Sequence, residues 1–96
     1  MQFPRTGYGA VKSQMTRSAE SILFNIAEGC GASTPNEFAR YLDMSIKSTG
    51  ELEAQLELAK DYGIMGEDPC AKLTERAIDA RRMLVGLRRK VLGDED

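Results

Sequence analysis

The sequence predicts an all-α fold: an up-and-down antiparallel helical bundle with three long helices, forming one domain over residues 1–96. Three observations predict it. Apolar residues recur at three- and four-residue steps in three separate stretches, which is the spacing of one helix face. Capping residues and glycines bound those stretches. No alternating strand pattern, internal repeat or low-complexity run competes with them. A chain of 96 residues has a thin margin of stability, because short chains bury a smaller share of their surface. Partner subunits, metals or disulfides are the usual remedies.

Met1 to Gly9 contains Pro4, Gly7 and Gly9 and reads as an extended lead-in. The first helix is expected over about 10–28, where Val11, Met15, Ala19, Ile22 and Ile26 recur at helical spacing. Gly29 and Gly31 are expected to stop it, since glycine readily takes the left-handed conformation of a C-cap. The end of this helix, Ser21 to Ala27, is apolar almost all round, so it must be covered on more than one face.

The second helix is expected over about 35–62. Thr34-Pro35-Asn36-Glu37 is a capping box with proline at the first helical position. The Thr34 hydroxyl is expected to accept from the Glu37 amide, and the Glu37 carboxylate to reach back to the Thr34 amide. Phe38, Leu42, Ser45, Thr49, Leu52, Leu56 and Ala59 follow as a heptad-like seam suited to shallow crossing angles. Its middle is small and polar, with Ser48 and Gly50 beside Ser45 and Thr49, so a neighbouring backbone can come close. Gly50 inside a helix costs about 1 kcal/mol against alanine, and packing is expected to offset it. Gly63 ends this helix.

The third helix is expected over about 69–92, with Asp68 as N-cap and Pro69 at the first helical position. Cys70, Leu73, Ala77, Ala80, Leu84, Leu87 and Val91 again step by three and four, and Gly93 with Asp94-Glu95-Asp96 finishes it. Both connections are short, so neighbouring helices should run antiparallel.

The formal net charge of −2 argues against a protein that coats nucleic acid non-specifically, since that work needs a positive surplus. Cys30 and Cys70 are isolated and the chain has no histidine. A zinc site built from two thiolates plus carboxylates is rare, so the cysteines read as free thiols of a reducing cytosol. No metal or cofactor is expected. No apolar run reaches the ~18 residues of a membrane span, and the N-terminus lacks a secretion signal's apolar core. The expected location is cytoplasmic.

The basic residues of the third helix are the best candidates for contact with a partner. Lys72, Arg76, Arg81, Arg82, Arg88, Arg89 and Lys90 stand against Glu75 and Asp79. Such a surplus tracks phosphates, or it is a solvated face whose arginines pair with acids of the second helix. Glu51, Glu53, Glu57 and Asp61 offer that negative surface. Their like charges at four-residue spacing call for a basic partner, in the same chain or in a neighbour. Asn25 and Glu28 interrupt an apolar stretch and are expected to brace the turn into the second helix, the alternative being a polar pocket at the bundle end. Catalysis finds little support. Ser, Thr and Cys have no histidine to activate them, and Gly29-Cys30-Gly31 is too short for a phosphate loop and lacks the following lysine. No enzyme activity and no small-molecule substrate are expected.

Ser21 to Gly29 resembles the S-I-x-x-N-I-A-E-G signature of the four-helix-bundle family also known as the 23S rRNA intervening-sequence proteins. Glu37 to Leu42 is similar to its E-F-x-R-F-L segment, Gly50 to Ala59 to its x-E-L-E-x-Q-L-x-L-A segment, and Arg82 to Leu87 to its R-M-L-x-x-L ending. The match runs over nearly the whole chain in order and spacing. The resemblance implies a four-helix up-and-down bundle and assembly as a barrel-shaped homopentamer in some members. It also implies kinship with the accessory protein of diversity-generating retroelements, which binds a reverse transcriptase and nucleic acid. Many other members have no known activity.

The chain departs from that pattern in three places. Members usually carry another helix ahead of the segment matching Phe3-Pro4; this sequence starts at that segment, so the first helix is expected to be either naturally missing or lost to a miscalled or trimmed start. The loop after the signature, often basic in the family, is uncharged here: Cys30-Gly31-Ala32-Ser33. Leu23 stands where the family often has proline. Three helices alone leave the apolar end of the first one uncovered, so another chain is expected to fill that face. The expectation is therefore an interaction or assembly protein, a homo-oligomer that binds a protein or nucleic-acid partner. Arg81, Arg82, Arg88, Arg89 and Lys90 would make the contact. Asn25, Glu28, Gly29, Thr34 and Glu37 would hold the turn. The alternative is a purely structural bundle with no nucleic-acid role.

Overall fold

The computed structural model describes residues 5–93. Three helices fill it: α1 (Arg5–Cys30), α2 (Pro35–Asp61) and α3 (Glu67–Val91). They pack antiparallel, as the short connections require. The lead-in reading fails over Arg5 to Gly9, which is helical. The first four residues and the acidic tail 94–96 lie outside the described residues. Gly7 and Gly9 lower helix propensity without forbidding it, because they belong to one cooperative helix of 26 residues. α1 runs unbroken through Leu23.

The second helix begins as its capping box dictates. Thr34 Oγ1 accepts from the Glu37 amide at 3.1 Å, and Pro35 follows at the first helical position. The Glu37 carboxylate takes the Ser33 amide at 3.4 Å rather than that of Thr34. The helix ends in a Schellman turn. Gly63, at φ 70°, donates to the Lys60 carbonyl, and Ile64 donates to that of Ala59.

That turn resets the start of α3. Gly66, with no side-chain cap bond, precedes the first helical residue, Glu67. Asp68 and Pro69 sit inside the first turn, two residues later than the cap reading placed them. Proline is tolerated there because the first amides of a helix have no intrahelical partner anyway. The Cys70 amide makes the first bond, to the Gly66 carbonyl at 3.1 Å. The helix closes at Gly93, φ 77°.

Gly29 and Gly31 do not cap α1 in the left-handed conformation, since neither has positive φ. Gly29 lies inside the helix and is there for contact. A Cβ on it would stand 2.8 Å from the Phe38 ring and 3.2 Å from Tyr41 Cβ. Gly50 is the converse: it is exposed, and a Cβ there would meet nothing within 4 Å. The packing expected to offset its cost is absent.

The core is centred on α2. Its Leu42, Ser45, Thr49, Leu56 and Ala59 are buried, as the heptad seam predicted. α1 and α3 each lie against α2, and among the described residues their Cα atoms come no closer than 8 Å to each other. The result is elongated. The radius of gyration is 15.4 Å, against about 12.5 Å for a compact chain of this length.

The two glycines give opposite expectations. Gly29→Ala should lose about 1–3 kcal/mol, because the Phe38 ring and Tyr41 must give way. Gly50→Ala should gain about 0.5–1 kcal/mol. Urea melts of both variants against wild type read the two signs.

Candidate interaction surfaces

The contact between α1 and α2 is polar at its centre. The α1 row that meets α2 is Val11, Ser18 and Asn25, all buried. Ser18 Oγ donates to Gln55 Oε1 at 3.0 Å, and Ser45 Oγ donates to the Ile22 carbonyl at 2.9 Å. A chain of bonds joins the rest. Asn25 Nδ2 donates to Ser21 Oγ at 3.1 Å, Ser21 and Ser48 share a bond of 2.8 Å, and Ser48 Oγ donates to the Met44 carbonyl at 3.1 Å. A hydroxyl has one proton, and Ser48 gives its own to Met44. Ser21 is therefore the donor to Ser48. Among the described residues no buried side-chain nitrogen or oxygen lacks a partner.

Sequence reasoning anticipated small polar residues on α2 but missed their partners Ser18, Ser21 and Gln55. The signal was the seven-residue step from Ser18 to Asn25, hidden beneath a more conspicuous apolar row. Asn25 also bonds the Ser21 carbonyl of its own helix at 2.9 Å. It secures the seam rather than the turn into α2. Glu28 is exposed, and its main-chain carbonyl, not its carboxylate, takes the Gly31 amide.

The apolar row of α1 faces elsewhere. Met15, Ala19 and Ile22 line one wall of an open groove of about 390 Å³, with Leu73, Ala77 and Ala80 of α3 opposite and Leu52, Leu56 and Met65 as floor. Leu23 and Met83, 69% and 74% exposed, extend the apolar surface along α1 and α3. The uncovered end of α1 that the sequence implied is there, and α3 contributes as much to it. The 6660 Å² exposed by the chain exceeds by roughly 1,200 Å² the area expected of a compact monomer of this size.

The basic residues of α3 divide into three sets. Arg81 Nε meets Glu53 Oε2 at 2.9 Å, and Arg88 Nε meets Asp43 Oδ1 at 2.6 Å. Both lie on the α2 side of the helix with Cys70, Ala77 and Leu84, which are buried. The buried Cys70 thiol donates to the Leu56 carbonyl at 3.1 Å. Of the acids singled out on α2, Glu53 serves α3, whereas Glu57 meets Lys60 of its own helix at 3.5 Å. Asp43 had escaped notice, because it lies outside the acidic run. Lys72, Arg82, Arg89 and Lys90 are exposed; Arg82, with Glu75 and Asp79, lines a cleft that α3 forms with Glu57 and Lys60 of α2, and Arg76 lines the apolar groove. Among the described residues no group of three or more His, Cys, Asp or Glu is placed to hold a metal ion, and no helix is long and apolar enough to cross a membrane.

Both ion pairs are partly exposed, so each should contribute only about 0.2–1 kcal/mol. Arg81→Ala and Arg88→Ala should shift the urea midpoint slightly and lose that effect at 1 M salt.

The family model described as 23S rRNA-intervening sequence protein matches residues 1–86. No curated protein and no solved structure matches the chain. With nine-tenths of its length matched, the chain belongs to that family.

Proposed function

We propose that this member of the 23S rRNA-intervening sequence family is a non-enzymatic interaction protein, one unit of a self-assembled helical ring in the cytoplasm. The open groove between α1 and α3 carries the reading. A row of apolar side chains on each wall, with a floor from α2, fits a further helix, and another copy of the chain supplies one. The resemblance to family members that form pentameric barrels supports the same reading and suggests five copies.

The exposed cations of α3 give the assembly a surface for phosphates or an acidic protein, such as a polymerase partner. Lys72, Arg82 and Lys90 are the cations for that role, while Arg81 and Arg88 serve the fold first. Repetition around a ring lets weak contacts add up. The alternative is a purely structural bundle. The formal charge of −2 and the acids Glu75 and Asp79 among the cations favour it.

Light scattering behind a sizing column tests the assembly. A mass of about five chains is expected; a folded monomer at all concentrations would refute the reading. A salt titration of RNA and DNA binding tests the surface. Affinity is expected to fall as salt rises, with a shallower slope in the Arg82→Ala/Lys90→Ala variant. Background binding even at low salt would leave the structural alternative.

A further inference from the structure

Charge is sorted along one face of the α2·α3 pair. Arg88 of α3 reaches Asp43 of α2, and Arg81 reaches Glu53, so the end of α3 lies beside the start of α2. In the half of the pair made of residues 36–49 and 81–91, seven Lys or Arg stand against two acids. In the half made of 50–61 and 67–80, three stand against eight. The formal charge is thus +5 at one end and −5 at the other, which the total of −2 conceals. On α2 the row Asp43, Gly50 and Glu57 recurs every seven residues. It is turned by roughly 140–160° from Ser45 and Ser48, which meet α1, so this row looks away from α1. On α3 the row Glu75, Arg82 and Arg89 recurs likewise. Glu57, Glu75 and Arg82 line one cleft of about 490 Å³, which places both rows on the same face. Ala71 and Ile78 give the cleft apolar surface, and Glu67 and Asp79 add carboxylates. In the other half, Arg40 and Lys47 stand one turn either side of Asp43 and are exposed, while Arg88 neutralises Asp43 itself. Gly50, between the halves, leaves the surface open: a Cβ there would meet nothing within 4 Å.

We propose that this face binds a polypeptide segment whose own charge is sorted into two blocks, a basic block in the cleft and an acidic block over Arg40 and Lys47. Nucleic acid carries one sign of charge only, so it gains at the basic half and is repelled at the acidic half. A segment with both blocks gains at both. The cleft suits an arginine or lysine, whose stem lies along Ala71 and Ile78 while its head meets carboxylates. From the cleft to Arg88 the distance along α3 is roughly 18 Å, which about five residues of extended chain span. Exposed ion pairs are individually weak, so the partner is selected by charge order, and binding falls as salt rises. The inference rests on the interaction reading above but not on the ring.

Fluorescence anisotropy at low salt tests it with two labelled synthetic peptides of one composition. The first has an arginine block and a glutamate block centred about five residues apart; in the second the same residues alternate in sign. The blocked peptide is expected to bind about 10-fold tighter, the worth of two or three exposed pairs, and to lose that lead at high salt. Glu75→Lys/Asp79→Lys reverses the acidic half, and Arg40→Glu/Lys47→Glu the basic half. All four positions are exposed, so circular dichroism should remain helical. Glu75→Gln/Asp79→Asn and Arg40→Gln/Lys47→Gln replace them should a reversal unfold the chain. Each double variant is expected to bring the blocked peptide down to the affinity of the alternating one. Variants that keep the lead overturn the assigned halves, and equal binding of the two peptides by wild type overturns the charge order. Polyglutamate or single-stranded RNA that binds tighter than the blocked peptide overturns the two-block partner in favour of a polyanion. Background binding of every probe overturns the proposal and leaves self-assembly, read by light scattering, intact.

Discussion

The polar seam between α1 and α2 sets the rest of the structure. Helices that meet through serines and a glycine approach more closely than helices that meet through leucines. The cost of burying hydroxyls is met only if every one finds a partner. Ser18, Ser21, Ser45, Ser48 and Asn25 do so by bonding across the seam or one turn back along it. Because those bonds have fixed lengths and one proton each, the seam has a register. A slide of α1 by one turn would leave several buried hydroxyls unpaired. Gly29 against Phe38 fixes the same register sterically at the far end.

Spending the α2-facing row of α1 on polar groups has a consequence for the apolar row. Met15, Ala19, Ile22 and Leu23 are left facing outward and sideways. The same division holds on α3, where Cys70, Ala77 and Leu84 are buried, while Leu73 and Leu87, four residues off that row or three, remain about two-fifths exposed. Each outer helix buries one row of its stripe and offers the other. A two-row stripe with one row covered is half of a four-helix packing arrangement. The hydrophobic effect therefore favours a further helix in the groove, whichever chain provides it.

Charge plays a smaller and more local part. The two arginine pairs tie α3 to α2 at points about two turns apart along α3, and together they set its azimuth more than its stability. They also remove two cations from any surface that a partner meets. The remaining charges of α3 are mixed in sign, with Glu75 and Asp79 between Lys72 and Arg82. The thiol of Cys70, bonded to a carbonyl in the core, is a packing element, while Cys30 is exposed.

The sequence by itself determined the three helices, their antiparallel order, the Thr34 cap, the Gly63 stop and the buried row of α2. These depend on periodicity and on bonds between residues a few positions apart, which a linear pattern records. It also carried the family signature and with it the expectation of an uncovered face. Only the tertiary structure decided that Ser18 and Asn25, rather than Met15 and Ala19, face α2, that Gly29 serves a close contact instead of a cap, and that Arg88 belongs to Asp43. Each of those outcomes depends on where a residue distant in sequence comes to lie. A helical stripe specifies that one side is apolar, but the direction in which that side points is fixed by the neighbour. Here the neighbour is a row of hydroxyls whose bonding requirement outweighed a wider apolar face.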